Sequence, residues 1–185
     1  MDKKKIMQSV SPVISLLVIC LVTSLALAGT NLLTRDRIAE LDRQNEIDAL
    51  SMLIPDSTYD KTDFGYIARK GSDTVGLIFT TSAKGYGGDV KVMTAIDPDE
   101  GTVIAVRVID VSNETVGLGQ RAKEESFSEQ YKGKSGEIGV VKGAASEGEI
   151  TAITGATITS RAVTDAVNQA LILFGSVMNG GGEAK

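Results

Sequence analysis

Thr154-Gly155-Ala156-Thr157-Ile158-Thr159-Ser160 gathers four hydroxyls and one glycine immediately ahead of an amphipathic stretch. From Arg161 the apolar residues Val163, Val167, Ala170, Leu171, Phe174 and Val177 recur at three- and four-residue steps, the spacing of one helix face. The hydroxyls therefore fall at a helix start, with Thr159 or Ser160 as N-cap and Thr157 just upstream of the first turn. A helix N-terminus offers unpaired N–H groups and partial positive charge, which makes it a seat for a phosphate. Gly155 permits a positive φ or a close backbone approach to such a group. A threonine hydroxyl beside that seat is also a group the phosphate can esterify. From spacing alone the same residues read first as a hydroxyl-rich turn that only caps a helix.

Two further glycine-bearing loops stand upstream: Gly85-Tyr86-Gly87-Gly88, and Glu114-Thr115-Val116-Gly117-Leu118-Gly119. Neither belongs to a βαβ unit with a downstream ribose-binding acid, so neither is a dinucleotide fingerprint, and there is no P-loop. Singly, each reads as a bend where side chains would clash. Together with the threonine turn they are loops able to wall a flat ligand whose phosphate rests at the last helix. Lys142, on the strand entering the Ser146-Glu147-Gly148-Glu149 segment, either neutralises that phosphate or lies at the surface. Glu147 and Glu149 read as members of a solvated loop rather than an acid–base pair. The charged run from Arg121 to Glu125 reads as a solvent face.

Composition removes much else. The chain has no histidine, which excludes His-based triads, bases and metal ligands. The single cysteine, Cys20, lies in the most apolar part of the chain, so no internal disulfide or cysteine metal cluster forms. A net charge of −5 and an absence of tryptophan argue against nucleic acid as a partner. No set of side chains for catalysis is visible, and no metal site.

The elements that must position these loops follow from patterning. No charge occurs between Lys5 and Arg35, a stretch longer than the roughly 20 apolar residues that cross a bilayer. A cleaved signal peptide competes with this reading, since Lys3-Lys4-Lys5 makes a basic start and Ala26-Leu27-Ala28 before Gly29 resembles a cleavage site. Apolar character persisting to Leu32-Leu33 favours a retained anchor. The expected organisation is a short cytoplasmic tail (1–9), a transmembrane helix (10–33), a juxtamembrane helix (34–55), a folded domain (56–178) and a flexible tail (179–185). Ile38, Leu41, Ile47, Leu50 and Leu53 are the expected buried side of the juxtamembrane helix, with Pro55 as its stop. Strands are expected at 65–68, 75–80, 90–96, 103–111 and 138–141, with a short helix over 120–131 and a closing helix over 160–178. Antiparallel hairpin strands with segregated helices define an α+β domain.

The tetrapeptide Thr154-Gly155-Ala156-Thr157 resembles the S/T-G-A-T flavinylation motif of the G subunit of the Rnf ion-translocating electron-transport complex. It is similar also to that of the related C subunit of sodium-pumping NADH:quinone oxidoreductase. The resemblance extends over the N-terminal anchor, Gly85-Tyr86-Gly87-Gly88, the Glu114–Gly119 loop, and the continuation through Ser160-Arg161-Ala162-Val163. It implies FMN attached covalently through its phosphate to Thr157, with Thr154, Gly155, Ala156, Thr159, Ser160, Glu114, Thr115, Leu118, Tyr86 and Lys142 around it. Two positions depart from the family pattern. Thr151 stands where an acid, part of the stretch a flavin transferase reads, is usual, and Val116 stands where proline is common.

The resemblance implies a membrane-anchored electron-transfer subunit, with its domain on the extracytoplasmic side, in a complex coupling ferredoxin/NAD electron flow to ion movement. Its expected partners are the other Rnf subunits, the flavin transferase during maturation, and the lipid bilayer. The rival readings are an anchored flavin-binding sensor or assembly scaffold without electron throughput, and a plain anchored domain whose threonine turn caps a helix.

Overall fold

The computed structural model describes residues 3–180. Of the two expected tails, residues 1–2 and 181–185 lie outside the described residues. The chain divides into two compact units, Met1–Gln44 and Asn45–Lys185.

One helix, α1 (Lys3–Leu53), supplies the first unit and continues into the second. Within it residues 6–34 carry no charge, and Val13 through Leu33 present their large apolar side chains outward. By length and composition this helix is a candidate membrane span. At 1.5 Å per residue the uncharged stretch is about 40 Å long, beyond the roughly 30 Å of a bilayer core. Its threonines are already satisfied: Thr23, Thr30 and Thr34 donate to the carbonyls of Ile19, Ala26 and Thr30, each at 2.9 Å.

In the second unit a five-stranded antiparallel meander runs in sequence order: β1 (Thr58–Thr62), β2 (Gly65–Lys70), β3 (Asp73–Lys84), β4 (Asp89–Ile96) and β5 (Val103–Asp110). Both faces are covered, so adjacent residues such as Ile78 and Phe79 are each fully buried. One face carries Ala68, Ile78, Met93 and Ala95 against Ala49, Leu50 and Leu53 of α1 and against Ile54. The other face packs Val90, Val92 and Val108 against Ala162, Val163, Ala166 and Val167 of α3 (Thr157–Gly180).

Several expectations are corrected here. Of the apolar side expected over 34–53, only Leu50 and Leu53 are buried, while Ile38, Leu41 and Ile47 are 52%, 42% and 50% exposed. Ala49, Leu50 and Leu53, within the second unit, pack on the sheet. The single helix expected over 120–131 is instead a 3₁₀ turn (Gly119–Lys123), a one-turn α2 (Glu125–Ser128) and a second 3₁₀ turn (Glu129–Tyr131). The break falls at Glu124, whose extended backbone (ψ 137°) re-aims the chain so that Ala122, Phe127 and Tyr131 all enter the core. The strand expected at 138–141 is β6 (Gly139–Val141), which pairs in parallel with β7 (Glu149–Thr151). Glu149 is thus a half-buried strand residue, not part of a solvated loop, and Ile150 behind it is fully buried. The closing helix runs from Thr157 rather than Ser160 and continues through Asn179 and Gly180, past its expected end.

Candidate functional site

The three glycine-bearing loops meet. The β3–β4 hairpin turns through Gly85–Gly88, closed by Gly85 N–H donating to the Gly88 carbonyl at 2.7 Å. A Cβ at Gly87 would collide with the Asn113 carbonyl, so this glycine is required by close approach to the segment after β5. That segment is shaped by Asp110, whose carboxylate accepts the Ser112 N–H at 2.9 Å. The bond holds the Asp110 carboxyl below its ordinary range. Glu114 N–H then donates to the Val111 carbonyl at 3.0 Å, folding the side chain of Glu114 inward.

The threonine turn is closed from within. Ala156 N–H donates to the Ile153 carbonyl at 2.9 Å, with Gly155 third in the turn at φ +79°, a value that glycine adopts without strain. The helix starts at Thr157, and its first i→i−4 bond is Ser160 N–H to the Ala156 carbonyl at 2.9 Å. Thr159 and Ser160 are therefore first-turn residues, not the N-cap. Both are buried and face inward: Ser160 Oγ accepts the Ile153 N–H at 3.0 Å and donates to the Ala156 carbonyl at 2.9 Å. Thr159 Oγ1 donates to Glu114 Oε2 at 2.5 Å. Thr157 is half-buried and lines the open side of the turn, beside first-turn amides that have no i−4 carbonyl to bond.

These loops enclose a cavity of about 630 Å³, within the roughly 300–1,000 Å³ range of ligand sites. Its lining includes Tyr86, Glu114, Thr115, Leu118, Lys142, Thr154, Gly155, Ala156, Thr157 and Thr159. Ser160 alone of the expected site residues does not line it; it braces the turn from below. Gly119, within the expected Glu114–Gly119 loop, also lines it, and Ile153, Ile158 and Ala152 join the lining without having been expected. The signal for Ile158 was present: an apolar residue between two hydroxyls, out of phase with the buried face that begins at Val163. Its side chain is 53% exposed, toward the cavity rather than the core.

Lys142 follows β6 directly and is exposed at the cavity edge. Its loop is tied down by Thr151, whose hydroxyl donates to the Gly143 carbonyl at 2.9 Å. Thr151 is itself gripped by Gln130, which accepts the Thr151 N–H at 2.7 Å and donates to its carbonyl at 3.3 Å. The Thr151 hydroxyl thus has a structural role in this loop. Among the described residues no group of three or more His, Cys, Asp or Glu side chains is placed to hold a metal.

The arrangement can receive an anion at the α3 N-terminus and an apolar planar body against Leu118, Ile153 and Ile158. The FMN-binding domain family matches residues 85–172, from the β3–β4 hairpin into α3. The crystal structure of Shewanella oneidensis NqrC (TM-score 0.55, 21% identity, 67% of this chain and 69% of that one) shares the fold. So does that of the C subunit of the Parabacteroides distasonis Na⁺-translocating NADH-quinone reductase (TM-score 0.52, 24% identity, 64% and 63%). Fold and match define an FMN-binding α+β domain that follows an apolar helix.

Full-length relatives narrow this further. The G subunit of the Clostridium ljungdahlii proton-translocating ferredoxin:NAD⁺ oxidoreductase complex is 34% identical, over 85% of this chain and 86% of its own. Its counterpart, the G subunit of the Acetobacterium woodii Na⁺-translocating ferredoxin:NAD⁺ oxidoreductase complex, is 36% identical, over 86% and 88%. The chain belongs to the family of G subunits of Rnf-type ion-translocating oxidoreductase complexes.

The cavity fits FMN. Its donor groups, the Lys142 ammonium, the hydroxyls of Thr154 and Thr157 and the first-turn amides, suit a phosphate. The apolar residues Leu118, Ile153 and Ile158 of the same lining suit a ring system, and only Leu118 approaches the space a Gly155 Cβ would fill, at 3.1 Å.

Proposed function

We propose that this chain is the electron-transfer subunit of an Rnf-type complex and carries FMN as a phosphoester on Thr157. The observation that supports this reading is convergence: an acceptor hydroxyl, a helix N-terminus and two distant glycine loops border one cavity of about 630 Å³. FMN, when bound, supplies the redox chemistry, and the protein supplies position and electrostatics. In that attachment Thr157 Oγ1 would take the place of the second phosphate of an FMN phosphoanhydride and give its proton to the flavin transferase. The first-turn amides of Thr157, Ile158 and Thr159, with Lys142, would hold the remaining phosphate charge. Leu118, Ile153 and Ile158 exclude water from the ring side, while Glu114, Thr115 and Tyr86 complete the wall.

In this reading residues 1–9 are cytoplasmic, 10–33 cross the bilayer, 34–55 lead out, and 56–178 lie on the extracytoplasmic side. Covalent attachment keeps the cofactor from escaping there and holds it at high effective concentration beside redox partners. Those partners are the other subunits of the complex.

The full chain purified from membranes carries a fluorescent flavin band through denaturing electrophoresis, and intact mass places one FMN on it. Thr157→Val folds and carries none; flavin retained on that variant removes Thr157 as the acceptor. Co-purification with other membrane redox subunits distinguishes the relay from a free-standing sensor or scaffold. Protease added from outside distinguishes the two possible sides for the domain.

A further inference from the structure

Glu114 is the only charged side chain buried among the described residues, at 4% exposure, and no cation pairs with it there. A buried carboxylate is costly unless its oxygens are hydrogen-bonded. Both are: Oε1 accepts the Gly87 N–H at 3.0 Å, and Oε2 accepts the Thr159 hydroxyl at 2.5 Å. The surrounding backbone is cut to fit this arrangement. A Cβ at Gly119 would lie 2.6 Å from Oε2 and 2.7 Å from Thr159 Oγ1. A Cβ at Gly85 would meet Oε1.

Thr159 stands two residues after Thr157, about 200° further round the helix. Drawing Thr159 inward therefore turns Thr157 outward, toward the cavity. Ser160 fixes the turn before the helix, but only Glu114 ties the helix start to the hairpin on the opposite wall. The carboxylate reaches the first turn of α3 from the buried side, not from the outward face.

We propose that Glu114 is a positioning residue for Thr157: bonded at once to Thr159 of α3 and Gly87 of the β3–β4 hairpin, its carboxylate fixes the rotation of the helix's first turn that presents the Thr157 hydroxyl. The inference rests on Thr157 being the acceptor. Its action is on the rate of attachment and on the order of the first turn.

The test uses the full-length chain produced with its flavin transferase, following FMN incorporation by intact mass and amide hydrogen exchange at residues 157–160. Glu114→Ala and Thr159→Val each slow incorporation about tenfold, in line with the cost of misplacing a reacting group. Thr159→Ser, which keeps the hydroxyl, stays within about twofold, and the double variant Glu114→Ala/Thr159→Val is no slower than either single one. Tyr131→Phe removes a different buried bond to the same helix, the 2.7 Å contact with Thr164, and incorporates flavin at the wild-type rate. Exchange at residues 157–160 quickens in Glu114→Ala and Thr159→Val but not in Tyr131→Phe. Wild-type incorporation in either of the first two variants overturns the proposal. So does equal slowing by Tyr131→Phe, which would reduce the effect to lost stability. Should Glu114→Ala fail to fold, the Thr159→Val and Thr159→Ser pair decides alone. A wild-type chain without flavin on Thr157 would sink the acceptor reading instead, while the exchange comparison still judges the role of Glu114.

Discussion

Thr81, on the strand leading into the Gly85–Gly88 hairpin, donates its hydroxyl to the Ala166 carbonyl of α3 at 2.8 Å. The bond joins the two elements whose ends form opposite walls of the cavity. Two others hold the same helix: Tyr131 OH meets Thr164 Oγ1 at 2.7 Å, and Asn168 exchanges bonds with the backbone of Ile138 at 2.9 and 3.0 Å. The cavity thus lies at the ends of elements whose middles are fixed, an arrangement that holds loop residues in place.

Thr81→Val keeps the shape of the side chain and removes this bond, while the Ala166 carbonyl stays within its helix ladder. The expected loss is about 1 kcal/mol in chemical denaturation, with unchanged dependence on denaturant and with flavin still on Thr157. An unchanged midpoint would show that the bond adds nothing net to stability.

Gly155→Ala tests the backbone of the attachment turn. An alanine at φ +79° is strained, and its Cβ would sit 3.1 Å from Leu118 Cδ2. The change costs about 1–2 kcal/mol, and Gly155→Asn, which tolerates this conformation better, costs less. Both are read from thermal or denaturant midpoints. Equal stability of the two variants would show that the left-handed backbone is not what selects glycine here.

Strands β2 to β5 and the closing helix were legible because apolar runs and turn residues mark them locally. The three loops were legible as candidates, and all but Ser160 of the expected residues line the cavity. What was missed depends on distant partners. Thr58–Thr62 is polar and half-exposed, becoming β1 only because β2 offers it an edge. Glu149–Thr151 becomes β7 only by parallel pairing to β6, across a loop no local pattern predicts. Thr159 looked like a cap because a hydroxyl near a helix start usually is one. Its real acceptor, Glu114, is 45 residues away in sequence.

Asp110 gives a pH signature. Its carboxyl is held below the ordinary range, first by the Ser112 N–H and also by the nearby Lys123 and Lys91 charges, against some desolvation. A depressed folded value means the stabilisation is fully present above the unfolded pKa, near 4, and is lost as pH falls through the folded value. Asp110→Asn should therefore lower stability at neutral pH and flatten the acid decline below about pH 4. Denaturant midpoints for the two chains from pH 7 to pH 2 should converge at the acid end. Parallel curves would mean that the Ser112 bond does not depend on the charge.

Leu118 tests whether the Glu114–Gly119 loop belongs to the redox site. Its side chain lines the cavity, is 41% exposed, and lies outside the buried core clusters, so Leu118→Asp should leave the fold intact. Flavin should remain on Thr157, since the Leu118 side chain makes none of the hydrogen bonds that hold the attachment turn or Glu114 and only lies near the Gly155 backbone. A carboxylate on this wall opposes the arrival of negative charge, so the reduction potential should fall and electron transfer should slow. Leu118→Asn, polar but neutral, should shift the potential less, and added salt should shrink the difference between the two. Thr115→Val removes a hydroxyl at the same wall and should also move the potential. Redox titration of the full-length flavinylated chain decides the matter: unchanged potentials in both Leu118→Asp and Thr115→Val would place this loop outside the site.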